Sequence, residues 1–431
     1  MLRVAPRSLL TGRRPAVLVS LALALAITAC GGDSTTAPNP GPSRPTLEKP
    51  PVVAPNATGR GELVSATPFP AIITRIEAGA VIAGAGGAGV FTPRYDVQGF
   101  TVRYRTPGLN GQLTEATGAV YLPVGASTAL PTVAYMHGTV TARNNVPSNP
   151  FAAEGRVFGT VFGTDGHIVV MPDYLGLGGS TGVQLYLHQQ THASAAIDLM
   201  RAARTLATQR SVGVDRNRLF VTGYSQGGAV ALGVLRELER NFTTEFPVRG
   251  AAGMSGPYDL SGTVRTALLL NPPYPPAVGY TALITGSMST VYNLGALSLF
   301  VRPEAITVTN AILNGSATDA QLATLPRTPQ DLLVSTFVTK IAVDTNDLFW
   351  QALVDNDVYD WKPNTPVRLY YGGADIDVPP QNALTAQGIM RARGTESVAA
   401  VNVGSTLTHG TAVVPATLAT KRFLDSLFAR P

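Results

Sequence analysis

The chain has 431 residues, 45% of them hydrophobic and 14% charged, a balance that excludes a disordered chain, which would be poorer in apolar groups. Its formal charge is +5, but Arg3, Arg7, Arg13 and Arg14 all precede the single cysteine, Cys30, and without those four the chain carries only +1. Nucleic-acid binding driven by counterion release is thereby excluded for the mature protein, and the length suits one large domain carrying an insertion.

Those arginines are followed by an apolar run, Ala16 to Ile27, and then by Thr28-Ala29-Cys30. The run is too short to span a bilayer. A charged start, an apolar middle and small residues at a cleavage point predict a secretory signal peptide over residues 1–29. A cysteine directly after such a point resembles the lipobox of bacterial lipoproteins, which implies that Cys30 becomes an acylated first residue holding an exported protein at the outer membrane or cell surface. As Cys30 is the only cysteine, the mature chain forms no internal disulfide. Residues 30–58, dominated by Gly, Pro, Ser and Thr up to about Asn56, lack apolar periodicity and predict a disordered linker behind the anchor.

Alternating, β-rich segments from Gly99 to Thr106 and from Leu113 to Leu122 flank a Pro-Gly-Leu-Asn-Gly turn and predict an antiparallel hairpin. Short apolar runs follow at Thr132 to Met136, His167 to Met171, Arg218 to Thr222, Gly250 to Met254, Val367 to Tyr371 and Ala399 to Val403, a pattern of buried parallel strands. Ala196, Leu199, Met200 and Ala203 repeat at helical spacing, as do Ala231, Val234, Leu235 and Leu238. The alternation predicts an α/β fold with a mostly parallel, doubly wound sheet, formed by residues 59–258 and 364–431. Residues 259–363 break that rhythm with proline-rich and apolar helical stretches. They read as a helical cap insertion.

Gly223-Tyr224-Ser225-Gln226-Gly227 sits between a predicted strand and a predicted helix, the context of the nucleophile elbow of α/β-hydrolases. Ser225 is the candidate nucleophile. It requires a base to take its proton, and the order that accompanies this elbow, Ser then Asp or Glu then His, selects His409 in Leu407-Thr408-His409-Gly410. The loop after Val367 to Tyr371 offers two carboxylates, Asp375 and Asp377, to orient that imidazole. Of the two N–H groups needed for an oxyanion, the elbow supplies the backbone of Gln226. The second should follow the strand Thr132 to Met136, where His137-Gly138-Thr139 resembles the oxyanion loop of lipases and points to the Thr139 N–H. His188 and His192 have the i, i+4 spacing of a helical zinc motif, but Gln189 stands where that motif needs a glutamate base. A structural or substrate-edge role is expected for them, and a loop-bracing one for Asp173.

Together, His137-Gly138-Thr139, Pro172 to Gly178, Gly223 to Gly227, Gly372 to Pro379 and Thr408-His409-Gly410 resemble the secretory lipase family of α/β-hydrolases, of the fungal lipase A type, from about Gly99 to the C-terminus. The resemblance favours Asp375 over Asp377, through its G-x-x-D-x-x-V-P pattern, and implies ester hydrolysis through an acyl-enzyme with no metal or cofactor. It also implies a cap over the active site, whose apolar stretches Ala267 to Leu270, Tyr280 to Ile284 and Leu294 to Val301 would line an acyl groove. The lipid-anchor signal, the linker and the single cysteine depart from the fungal pattern. Partners are then a small-molecule or lipid ester and a membrane reached through Cys30. Two rivals remain: a serine exopeptidase of the same fold, and a non-catalytic surface-binding lipoprotein.

Overall fold

One nine-stranded sheet carries the chain in the computed structural model, which describes residues 45–428. In chain order the strands are β1 (Leu63–Pro68), β2 (Val97–Pro107), β3 (Leu113–Pro123), β4 (Leu130–Met136), β5 (Ile168–Pro172), β6 (Val214–Tyr224), β7 (Val248–Met254), β8 (Val367–Gly372) and β9 (Val398–Gly404). They lie side by side as β1-β2-β3-β5-β4-β6-β7-β8-β9. The hairpin β2–β3 pairs Val97 with Pro123 and Pro107 with Leu113, and pairing is antiparallel from β1 to β5 and parallel from β5 to β9. This is the α/β-hydrolase arrangement expected from the strand–helix alternation.

Helices α1 (Arg75–Gly84), α2 (Ala153–Thr164), α3 (Gln189–Gln209) and α4 (Gln226–Asn241) precede the insertion. The insertion contributes α5 (Arg265–Leu269), α6 (Pro275–Val291), α7 (Pro303–Leu313), α8 (Asp319–Leu322), α9 (Pro329–Leu332), α10 (Ser335–Val343) and α11 (Leu348–Asp355). After it come α12 (Gln381–Ala392) and α13 (His409–Phe428). Both sheet faces are covered, because successive residues of each strand point to opposite sides. On β4, Ala134 and Met136 join a core shared with Ala196 and Leu199 of α3 and Val230 of α4, whereas Val133 and Tyr135 join one shared with Phe158 and Phe162 of α2 and Leu424 of α13.

Three further elements were not anticipated from sequence. β1 is a mostly exposed edge strand, and α1 is held by a capping box between Thr74 and Glu77 rather than by an apolar stripe. α2 contains Gly155, Gly159 and Gly163, which read as breakers in sequence. A Cβ at Gly159 would lie 2.3 Å from the ring of Tyr121, so the missing side chain is what lets the helix lie close on the sheet.

Residues 45–58, placed by composition in the linker, run as irregular chain against the sheet and its helices. Leu47 is buried and its N–H donates to Gln351 Oε1, while Arg201 and Gln190 donate to the carbonyls of Pro55 and Pro51. Side-chain and backbone partners thus hold a segment that has no periodicity of its own.

None of the nine strands falls between Met254 and Val367. Asp357, at the end of the insertion, accepts the N–H groups of Leu260 and Ser261 and the hydroxyl of Ser261 at its beginning, closing it into a unit. Phe300, Phe337 and Phe349 pack together inside it, with ring centroids 4.9–5.7 Å apart. Leu268, Leu269, Ile284, Leu333 and Phe337 line a small apolar cavity of about 40 Å³. Among the described residues no helix is long and apolar enough to cross a membrane.

Candidate active site

Ser225 stands between the end of β6 and the first residue of α4, with φ 57° and ψ −124°. A non-glycine residue in this region costs on the order of 1–3 kcal/mol, and the surrounding backbone holds it there through Ser225 N–H to the Met254 carbonyl at 2.9 Å. The flanking glycines make that turn possible. A Cβ at Gly227 would lie 1.9 Å from the Met136 carbonyl oxygen, and one at Gly223 would lie 2.3 Å from the carbonyl oxygen of Gly227.

His409 opens α13 beyond β9, and its Nε2 lies 2.9 Å from Ser225 Oγ. Its Nδ1 lies 2.8 Å from Asp375 Oδ2, and the other oxygen of that buried carboxylate accepts the Val378 N–H at 2.9 Å. Tyr224 donates its hydroxyl to the His409 carbonyl, with burial pushing that phenol well above its ordinary value. The fold therefore brings together three residues that are 34 to 184 positions apart in sequence. Asp377 takes no part in this contact. Its carboxylate accepts from the hydroxyls of Tyr274 at 2.9 Å and Tyr280 at 3.1 Å, at the start of α6.

Gln226 is the first residue of α4, where the backbone N–H has no partner within the helix. Thr139 lies after β4, and its hydroxyl lies 2.8 Å from that of Tyr186, whose N–H donates to Ser287 of α6. Gly138, next to it, is already occupied: its N–H donates to Glu154 Oε1 at 2.9 Å, and the same oxygen accepts the Tyr135 hydroxyl. Among the described residues the N–H groups of Thr139 and Gln226 donate to no protein acceptor. Glu154, Tyr186 and Tyr224 were not anticipated from sequence, since no motif marks a residue that acts by holding a loop far from it in the chain.

His188 and His192 are both buried at the start of α3. His188 Nδ1 pairs with the Thr191 hydroxyl at 3.0 Å, and burial pushes its imidazole down to about 4. His192 packs against the ring of Tyr174, with burial as the main cause of a pKa well below the ordinary value. Among the described residues no group of three or more potential ligands forms a metal site. Asp173 braces the loop after β5, its carboxylate accepting from the Thr117 hydroxyl at 2.6 Å and the Ser148 N–H at 2.9 Å. Cys30 lies outside the described residues.

The profile of the secretory lipase family matches residues 161–429. Among solved structures, a protein from Legionella pneumophila assigned to the hydrolases is 26% identical, with a TM-score of 0.79 over 86% of this chain and 99% of that one. The rice cell wall degrading esterase LipA from Xanthomonas oryzae is 27% identical, with a TM-score of 0.74 over 86% and 98%. Candida antarctica lipase A shares the fold, at 15% identity and a TM-score of 0.62 over 85% and 83%. A comparison with curated protein sequences gives no match. The chain belongs to the secretory lipase family, and is an α/β-hydrolase enzyme of the lipase and esterase class.

Proposed function

We propose that this enzyme cleaves carboxylic esters through an acyl-enzyme formed on Ser225. His409 takes the serine proton as Oγ attacks the ester carbon, and then gives that proton to the leaving alcohol; water reverses the sequence and releases the acid. Asp375 keeps the His409 tautomer that presents a bare Nε2 to Ser225, and stabilises the imidazolium once formed. The N–H groups of Thr139 and Gln226 meet the oxyanion, aided by the N-terminus of α4. The observation that carries this reading is the unbroken contact from Ser225 Oγ through His409 to Asp375, at 2.9 and 2.8 Å. No step calls for a metal or cofactor.

An aliphatic acyl group is part of the proposal on the apolar stretches of the insertion, of which Leu268, Leu269 and Ile284 line a cavity bordered by none of Ser225, His409 and Asp375. Ala282 and Leu283, in contrast, are fully buried. Export behind a signal peptide, with acylated Cys30 holding the enzyme at a membrane, completes the proposal on the sequence of residues 1–30.

A fluorophosphonate probe should label wild-type enzyme at Ser225 and leave Ser225→Ala unlabelled. Turnover of p-nitrophenyl esters but not of aminoacyl anilides is expected. The reverse preference would make the protein an exopeptidase, and no labelling with no turnover would make it a binding protein.

A further inference from the structure

Gly138 and Thr139 share one amide. Its N–H belongs to Thr139 and is the group assigned above to the oxyanion, while its carbonyl oxygen lies 2.7 Å from Nδ1 of His137. The other ring nitrogen, Nε2, lies 3.1 Å from the backbone carbonyl oxygen of Asp173. Both partners are carbonyl oxygens, which accept hydrogen bonds and cannot donate them. A neutral imidazole has a single N–H, so one of its nitrogens would present a lone pair to a carbonyl lone pair in a site only 1% exposed. That mismatch is costly away from water. An imidazolium donates to both.

We propose that His137 is held as an imidazolium beneath the oxyanion loop and serves as a positioning residue for the reaction, gripping the Gly138 carbonyl and polarising the amide whose N–H faces the oxyanion. The catalytic half of this proposal rests on the role given to Thr139; the charge state does not.

A buried cation needs compensation, and two carboxylates stand in the surrounding hydrogen-bond network. Glu154 of α2 places a carboxylate on the Gly138 N–H. Asp173, in the loop after β5, carries a second; burial raises its pKa, while hydrogen bonds from Ser148 and Thr117 and the charge of His137 oppose the rise. The Tyr174 ring stacks on His137 with centroids 4.2 Å apart and an interplanar angle of 22°, and its hydroxyl donates to the His137 carbonyl. An aromatic face of this kind attracts a cation. His192 of α3 also packs on Tyr174 and is kept neutral, mainly by burial, so it adds no second positive charge. An amide whose carbonyl is bound by a cation becomes a stronger N–H donor, through the cooperativity of linked hydrogen bonds.

The charge state can be read directly from full-length enzyme carrying ¹⁵N-histidine, by long-range ¹H–¹⁵N correlation at a pH of about 8, above the ordinary histidine value. His137→Asn, which lacks the ring, assigns the signal. Two nearly equal nitrogen shifts are expected, as for an imidazolium; the widely split pair of a neutral tautomer would overturn the proposal. Kinetics test the positioning role. His137→Asn can keep a neutral donor on the Gly138 carbonyl, and His137→Phe keeps only the stack on Tyr174. With p-nitrophenyl butyrate, kcat should fall about 10-fold in the first and about 10² to 10³-fold in the second, the range for a lost oxyanion donor, with KM little changed. A folded His137→Phe with wild-type kcat would overturn the positioning role. An imidazolium in a wild type that hydrolyses no ester would uphold the charge assignment and overturn the esterase reading instead.

Discussion

The carboxylate of Asp375 lies 2.8 Å from His409 Nδ1, while that of Asp377, two residues along the same loop, is taken up by the hydroxyls of Tyr274 and Tyr280. Near neighbours in sequence thus have separate tasks. Asp375→Asn should lower kcat for p-nitrophenyl butyrate by about 10⁴, as should Ser225→Ala and His409→Ala, because the three act as a unit. Asp377→Asn should cost far less, since it disturbs the contacts with Tyr274 and Tyr280 without touching the imidazole. Steady-state kinetics on the four variants decide this, and a dead Asp377→Asn beside an active Asp375→Asn would reverse the assignment.

Substrate preference tests the cap. If its apolar cavity accepts the acyl chain, kcat/KM should rise from acetate to butyrate and longer p-nitrophenyl esters, by roughly a few-fold per methylene until the space is filled. Leu268→Asp, a change at the half-buried rim of that cavity, should then weaken octanoate more than acetate in a folded variant. A flat profile would leave the cavity as a packing defect of the cap.

Asp357 makes stability depend on pH in a definite direction. Burial pushes its carboxyl up to about 7, with Asp259 adding to the rise and the donors of Ser261 and Leu260 opposing it. In the unfolded chain the same group ionises near about 4. Between those values the native state holds a proton that the unfolded state has lost, so this contribution to stability is full below about pH 4 and is lost as pH rises through about 7. Asp357→Asn does not titrate. Melting temperatures of the two proteins across that window should therefore shift in favour of the variant as pH rises, and a constant difference would show that Asp357 is ionised throughout.

Anchoring is tested apart from catalysis. Wild-type protein expressed in a bacterial host should take up labelled fatty acid on Cys30, and Cys30→Ser should be released in soluble form with unchanged ester turnover. Absence of label from the wild type would remove the lipid anchor from the proposal.

Much of the fold was legible because it rests on local pattern. Strands buried on both faces must be continuous apolar runs, and helices on a sheet must repeat every three to four residues, so β4 to β9, α3 and α4 could be placed from sequence. The signal failed where the deciding contact was remote. α2 was not anticipated from sequence, and the ring of Tyr121 that fills the place of the Gly159 side chain comes from another element. β1 pairs through its backbone, which sequence does not display.

The site divides in the same way. Strain and close approach at the elbow select residue types within five positions, so Gly223, Ser225 and Gly227 are written in the sequence, and the chain order of the other proposed catalytic groups narrows them to a few residues. Which carboxylate meets His409, how Glu154 fixes the Gly138 N–H, and why both nitrogens of His137 face carbonyl oxygens are matters of distance and direction between elements remote in sequence. A hydrogen bond depends on tenths of an ångström and on the angle of approach. Only the packing of β4, α2, β8 and α13 around the sheet sets those.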